Sequence, residues 1–116
     1  MSIRNSGYQF AWPNPQARTY RPSLELILPR QVDLRPLMTP VENQGSLQSC
    51  TANAIAGAYE YLIKKHTGAD VDLSRLFIYY NARWRSGEQQ QDSGSVIQYG
   101  MESLQSFGAC DEKVWP

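Results

Sequence analysis

The run Asn43-Gln44-Gly45-Ser46-Leu47-Gln48-Ser49-Cys50 holds the residues best suited to chemistry. It delivers a thiol to the first turn of a long helical pattern, directly after a glycine-containing loop. Free backbone N–H groups and the positive end of a helix dipole favour the thiolate form of a cysteine so placed. Gln44 precedes Cys50 by six residues. Its amide can fold back beside the thiol. Together with the Cys50 backbone N–H it then offers two donors to a developing oxyanion. The same local pattern also describes a plain alternative: a cysteine among small helical residues is more often just a buried small hydrophobe.

Nucleophilic catalysis by a thiol needs an imidazole within hydrogen-bond reach. The one histidine is His66, 16 residues beyond Cys50 on the same helical pattern. At 1.5 Å per residue that places it about 24 Å away. A solvated helix end, with Lys64 and Lys65 beside it, accounts for His66 better than catalysis does.

The elements that must position the thiol follow from periodicity. Ala52, Ile55, Ala56, Tyr59, Leu62 and Ile63 recur on one face and predict a helix from Cys50 to about Lys65. Ser49 is its N-cap residue and Gly68 its stop. Small residues on the other faces suit a central helix, the least exposed of the set. Leu76, Phe77, Tyr80 and Trp84 predict a second helix over Ser74 to Arg85. Ile97, Met101 and Leu104 predict a third over Ser95 to Phe107, with Gly108 beyond it. Between them, Ser86 to Ser93 reads as a polar loop. Val32 and Leu34 alternate with polar neighbours as in a short strand. Residues 1–28 form an arm broken by Pro13, Pro15 and Pro22. Tyr8, Phe10, Trp12 and Tyr20 are more aromatic than a disordered tail carries, which predicts that the arm packs on the body.

Composition narrows the function classes. Eleven basic and eleven acidic residues cancel, so no charged stripe argues for a nucleic-acid partner. No apolar run reaches about 18 residues, so no membrane-spanning helix is expected. Met1 to Phe10 lack the apolar core of a secretory signal, and the expected location is cytoplasmic. Two cysteines are too few for a disulfide scaffold and are expected as free thiols.

The ordered motifs resemble those of the papain-like cysteine peptidases. Pro29, Asp33 and Arg35 match the family's opening of the mature enzyme. Pro40, Val41, Asn43, Gln44 and Gly45 match its next element, and Cys50 follows at the family's spacing. The likeness covers residues 29–116. It implies an α+β fold represented here by its mainly helical half, with the β-rich half, which carries the histidine and asparagine, absent from this chain. It implies Cys50 as nucleophile and Gln44 as oxyanion donor in peptide-bond hydrolysis through an acyl-thioester. Gln48 and Ser49 fall where substrate passes close to the backbone. Ser93 and Gly94 match the strip that hydrogen-bonds the substrate backbone. Ser95 and Val96 match positions near the pocket for the second residue before the scissile bond. Leu47 stands where plant and lysosomal members have a disulfide cysteine, Gln48 where a glycine is usual, and Thr51 where an aromatic is usual. These are the features of a bacterial-type or divergent member. No metal or cofactor is implied. The expected partners are a peptide or protein substrate and the β-rich half, with self-association through the exposed half-cleft. Two other readings stand beside this one: a non-catalytic binding module, and a thiol acyl-transfer enzyme of transglutaminase-like layout.

Overall fold

The computed structural model describes residues 7–116. Helix α1, Cys50–Thr67, begins at the thiol and carries Lys64, Lys65 and His66 in its last turn, where cations meet the negative end of the dipole. Helix α2, Arg75–Ser86, starts at Ser74, whose hydroxyl oxygen accepts the Phe77 N–H at 3.0 Å. Helix α3, Ile97–Phe107, begins two residues later than its periodicity suggests, because Ser95 and Val96 stay extended. A 3-10 turn, Arg35–Leu37, precedes α1. No strand forms among the described residues. The expected strand at Val32 and Leu34 is an exposed approach to the 3-10 turn, since no neighbouring chain offers it a ladder.

The core joins Ala52 and Ala56 of α1 to Ile78 and Tyr79 of α2, with Ile55 and Leu104 packed against them. Helix α3 crosses α1 closely at Gly100, where a Cβ would stand 2.4 Å from Ile55 Cδ1. The Glu60 carboxylate, 1% exposed, fastens the helices to the segment before them. It accepts from Thr39 Oγ1 at 2.6 Å, from the Leu73 N–H at 2.9 Å and from the Arg75 guanidinium at 3.1 and 3.2 Å. Beyond α3 the chain returns along α2. Asp111 pairs antiparallel with Leu73, and the Trp115 ring packs on Phe77 and Tyr80.

Two expectations are corrected here. Helix α1 is not the least exposed of the three; that is α2, which lies against both others. Ala54, Ala58, Tyr59 and Leu62 of α1 stay exposed because no described residue covers that side. The arm, for its part, is held among its described residues by Gly7 to Gln9. Trp12 and Tyr20 remain 85% and 82% exposed, so backbone pairing and one side chain do what the aromatics were expected to do. Residues 1–6 of the arm lie outside the described residues.

Candidate active site

Cys50 is half-buried and free, at the first position of α1. Ser49 occupies the N-cap position, yet its hydroxyl makes no capping bond. That hydroxyl accepts instead from Asn53 Nδ2 at 3.1 Å, while the Ser49 carbonyl accepts from the same group at 2.9 Å. The first-turn N–H groups beside the thiol are therefore not closed by a side chain. They remain available to an anion, as the positive end of a helix requires of a site for one.

The loop before Cys50 is braced from within. Gln44 Nε2 donates to the Leu47 carbonyl at 2.6 Å, and Asn43 Oδ1 accepts the Gly45 N–H at 2.9 Å. The Gln44 amide is thus folded back over the loop that leads to the thiol. One of its two N–H groups is used there, which leaves the other as a donor. Upstream, Asp33 takes a bidentate contact from Arg35 at 2.7 and 2.8 Å. That hydrogen bond holds the Asp33 carboxyl below its ordinary range.

Facing this loop is the segment Ser93–Gly94–Ser95. The Ser95 side chain, 1% exposed, shares a short hydroxyl–hydroxyl bond with Thr51, which is equally buried. The residue in place of the usual aromatic therefore ties α1 to the opposite wall. The Ser95 backbone faces outward and is paired with the arm. Its N–H donates to the Gly7 carbonyl at 2.8 Å, and its carbonyl accepts the Gln9 N–H at 3.0 Å. Gln9 Nε2 donates to the Ser93 carbonyl at 2.9 Å and to Glu88 Oε2 at 3.1 Å. Val96 lies half-buried at the end of the segment, just before α3.

The arm passes between the two walls at very close quarters. A Cβ on Gly7 would stand 2.0 Å from the Gln48 carbonyl oxygen. One on Gly94 would stand 2.2 Å from the Gly7 carbonyl oxygen. Both residues also have positive φ, 76° and 81°, so glycine is required twice over. Gln48 thus lies against the passing chain through its backbone.

Sequence reasoning missed two residues. Asp92 Oδ1 accepts the Gln48 N–H at 3.0 Å and the Tyr79 hydroxyl at 2.6 Å. Burial first, then the bond to Asp92, pushes the Tyr79 phenol up to about 12. Tyr79 read as one more aromatic in a helix and Asp92 as a polar loop residue, so nothing in the local pattern marked either. His66 sits in the last turn of α1, exposed and at the opposite end of the helix from Cys50. Among the described residues no cluster suited to a metal ion occurs.

No family model matches the chain. An uncharacterized peptidase C1-like protein of Acanthamoeba polyphaga mimivirus is 44% identical over 89 residues, which is 72% of this chain and 29% of that protein. The crystal structure of xylellain, a cysteine protease from Xylella fastidiosa, is similar with a TM-score of 0.83 and 38% identity, over 95% of this chain and 42% of that one. The chain therefore spans less than half the length of either relative. Cys50 at a helix start, the braced glutamine loop before it and both likenesses converge: the chain belongs to the papain-like cysteine peptidase family, of which it carries the helical half.

Proposed function

We propose that Cys50 is the nucleophile of a peptide-hydrolysing centre. The observation that carries this reading is the setting of the thiol. It is free, it starts a helix whose first N–H groups are uncapped, and it lies beside a cleft wall already paired with a peptide backbone. The thiolate attacks the scissile carbonyl carbon. The oxyanion that forms takes hydrogen bonds from the Cys50 N–H and the free N–H of Gln44. The base takes the thiol proton and gives it to the departing amine; water, losing a proton to the same base, then hydrolyses the thioester to release the acid and regenerate the thiol. The base is a histidine of the β-rich half, since His66 lies about 24 Å along the helix. Peptide or protein is the substrate, bound along Ser93–Ser95 with Gln48, Ser49 and Val96 beside it.

The apolar groove between α1 and α3, about 330 Å³ and bordered by Ala54, Ala58, Leu62, Ile97 and Met101, is the face on which the β-rich half would dock. Turnover of a fluorogenic peptide tests the proposal. The 116-residue chain alone is expected to give none, and addition of the β-rich half is expected to give hydrolysis that Cys50→Ala abolishes. Activity that survives Cys50→Ala would remove the thiol from the mechanism. A second reading, a non-catalytic binding module, is favoured by the arm, which already fills the peptide strip. A confirmed complex of the two halves with no turnover would select it.

A further inference from the structure

The two walls of the cleft are separate loops, residues 44–49 before α1 and 92–95 before α3. No covalent bond joins them, because Cys50 and Cys110 are both free. Their spacing nevertheless decides whether a chain can pass, for Gly7 threads a gap in which even a Cβ would be 2.0 Å from the Gln48 carbonyl oxygen.

One side chain, Tyr79, reaches the 92–95 loop from the core, and Asp92 of that loop links it to Gln48 in the other. It is 1% exposed and packs with Ala52, Ala56 and Ile78. Its hydroxyl accepts the Gly94 N–H at 3.0 Å and donates to Asp92 Oδ1 at 2.6 Å. That same carboxylate oxygen accepts the Gln48 N–H at 3.0 Å. The direction of every bond is forced. Backbone N–H groups only donate and a carboxylate only accepts, so the one phenolic proton must point at Asp92. The ring is stacked under Arg83, whose guanidinium carbon lies 3.8 Å from the ring centroid and which also donates to the Gln91 carbonyl. Ring and hydroxyl are thus held by the core, by Arg83 and by Gly94, while the exposed Asp92 carboxylate is held through its Oδ1 by two donors. Gln48 is held by its N–H and presents its carbonyl to the passing chain. Gly94 is held by its N–H and lies against the Gly7 carbonyl.

We propose that Tyr79 and Asp92 are positioning residues that set the width of the cleft: the Tyr79 hydroxyl holds the peptide strip at Gly94, and Asp92, bonded to that hydroxyl, holds the nucleophile loop at Gln48. Neither touches the reacting atoms. This rests on the reading of Cys50 as nucleophile and of Ser93–Ser95 as the peptide strip. It adds that the gap between them is gauged by hydrogen bonds.

Amide hydrogen exchange by NMR on the 116-residue chain tests it. The Ser95 and Gln9 amides report the paired peptide, and those of Ala56 and Ile78 report the core. Asp92→Ala is expected to lower protection at Ser95 and Gln9 by about tenfold or more, the factor for losing one hydrogen bond to a charged group. Core protection is expected to change by less than about twofold. Asp92→Asn keeps the accepting oxygen and should restore protection to within about threefold. Tyr79→Phe, nearly isosteric, should loosen Gly94, Ser95 and Gln9 together, and it decides the matter if Asp92→Ala fails to fold. Unchanged protection at Ser95 and Gln9 overturns the proposal. So does an equal loss in the core, which would make the pair merely structural. The nucleophile reading is tested separately, by the rate at which iodoacetamide labels Cys50 relative to Cys110 in the unsubstituted chain. Failure of one is therefore distinguishable from failure of the other.

Discussion

Cys50 and Cys110 are chemically the same group in different electrostatic settings. Cys50 begins an 18-residue helix, whereas Cys110 lies beyond α3 in an irregular segment and lends its carbonyl to the Ser74 N–H at 2.8 Å. The end of a helix dipole is worth about 0.3–1 kcal/mol to a charge beside it. With no imidazole at hand that is the whole effect. Iodoacetamide near neutral pH should therefore label Cys50 about two- to fivefold faster than Cys110, read by mass spectrometry of the two peptides. Equal rates would mean that the helix start does not activate the thiol. Gln44 is visible as a candidate from its spacing alone. Its hydrogen bond to the Leu47 carbonyl is not, because that depends on how the loop turns.

At the scale of elements, Glu60 is the strongest tie. It is a charge 1% exposed, and it links α1 to Thr39 before it and to Arg75 of α2 after it. Glu60→Ala would leave Arg75, itself only 12% exposed in its side chain, without its main partner. The expected loss of stability is about 3 kcal/mol or more, measured by urea unfolding. A loss below about 1 kcal/mol would show that water replaces the carboxylate. The arm is a second element, paired through Gly7 to Gln9 with the Ser95 backbone. Deletion of residues 1–20, or Gly7→Ala, should free Gln48 and the Ser95 backbone and raise the Cys50 labelling rate at least about twofold. The second substitution does so because its Cβ would overlap the Gln48 carbonyl at 2.0 Å. Labelling that is unchanged in both would mean that the arm does not guard the thiol. Deletion of residues 10–20 alone should leave the melting temperature nearly unchanged, since those residues are exposed.

For the whole molecule, the apolar face of α1 and α3 governs behaviour in solution. Leu62 and Met101 are 46% and 60% exposed on it, and no arm residue among those described borders the groove. A continuous patch of this kind is unusual on a soluble monomer. The 116-residue chain is expected to self-associate as its concentration rises, seen by sedimentation velocity. Leu62→Glu with Met101→Glu should return it to a monomer with its helical content intact. A monomer at all concentrations without these substitutions would show that the face tolerates water.

The sequence by itself determined what depends on neighbours along the chain. Periodic apolar residues and the order of the Asn43–Cys50 motif specified three helices, one thiol at a helix start and the family. Each of those signals acts over a few residues. Tertiary structure decided what depends on residues far apart. The partnership of Tyr79 with Asp92 and Gln48, the pairing of Thr51 with Ser95, and the docking of Gly7 between Gln48 and Gly94 span 13 to 87 positions. Hydrogen-bonding capacity is legible in a residue type, but its partner is fixed only when packing brings one donor and one acceptor together and excludes water. The same reason explains why the exposure of α1 was misjudged. A row of small and apolar residues states that a face can be buried, and only the arrangement of the surrounding elements states whether anything covers it.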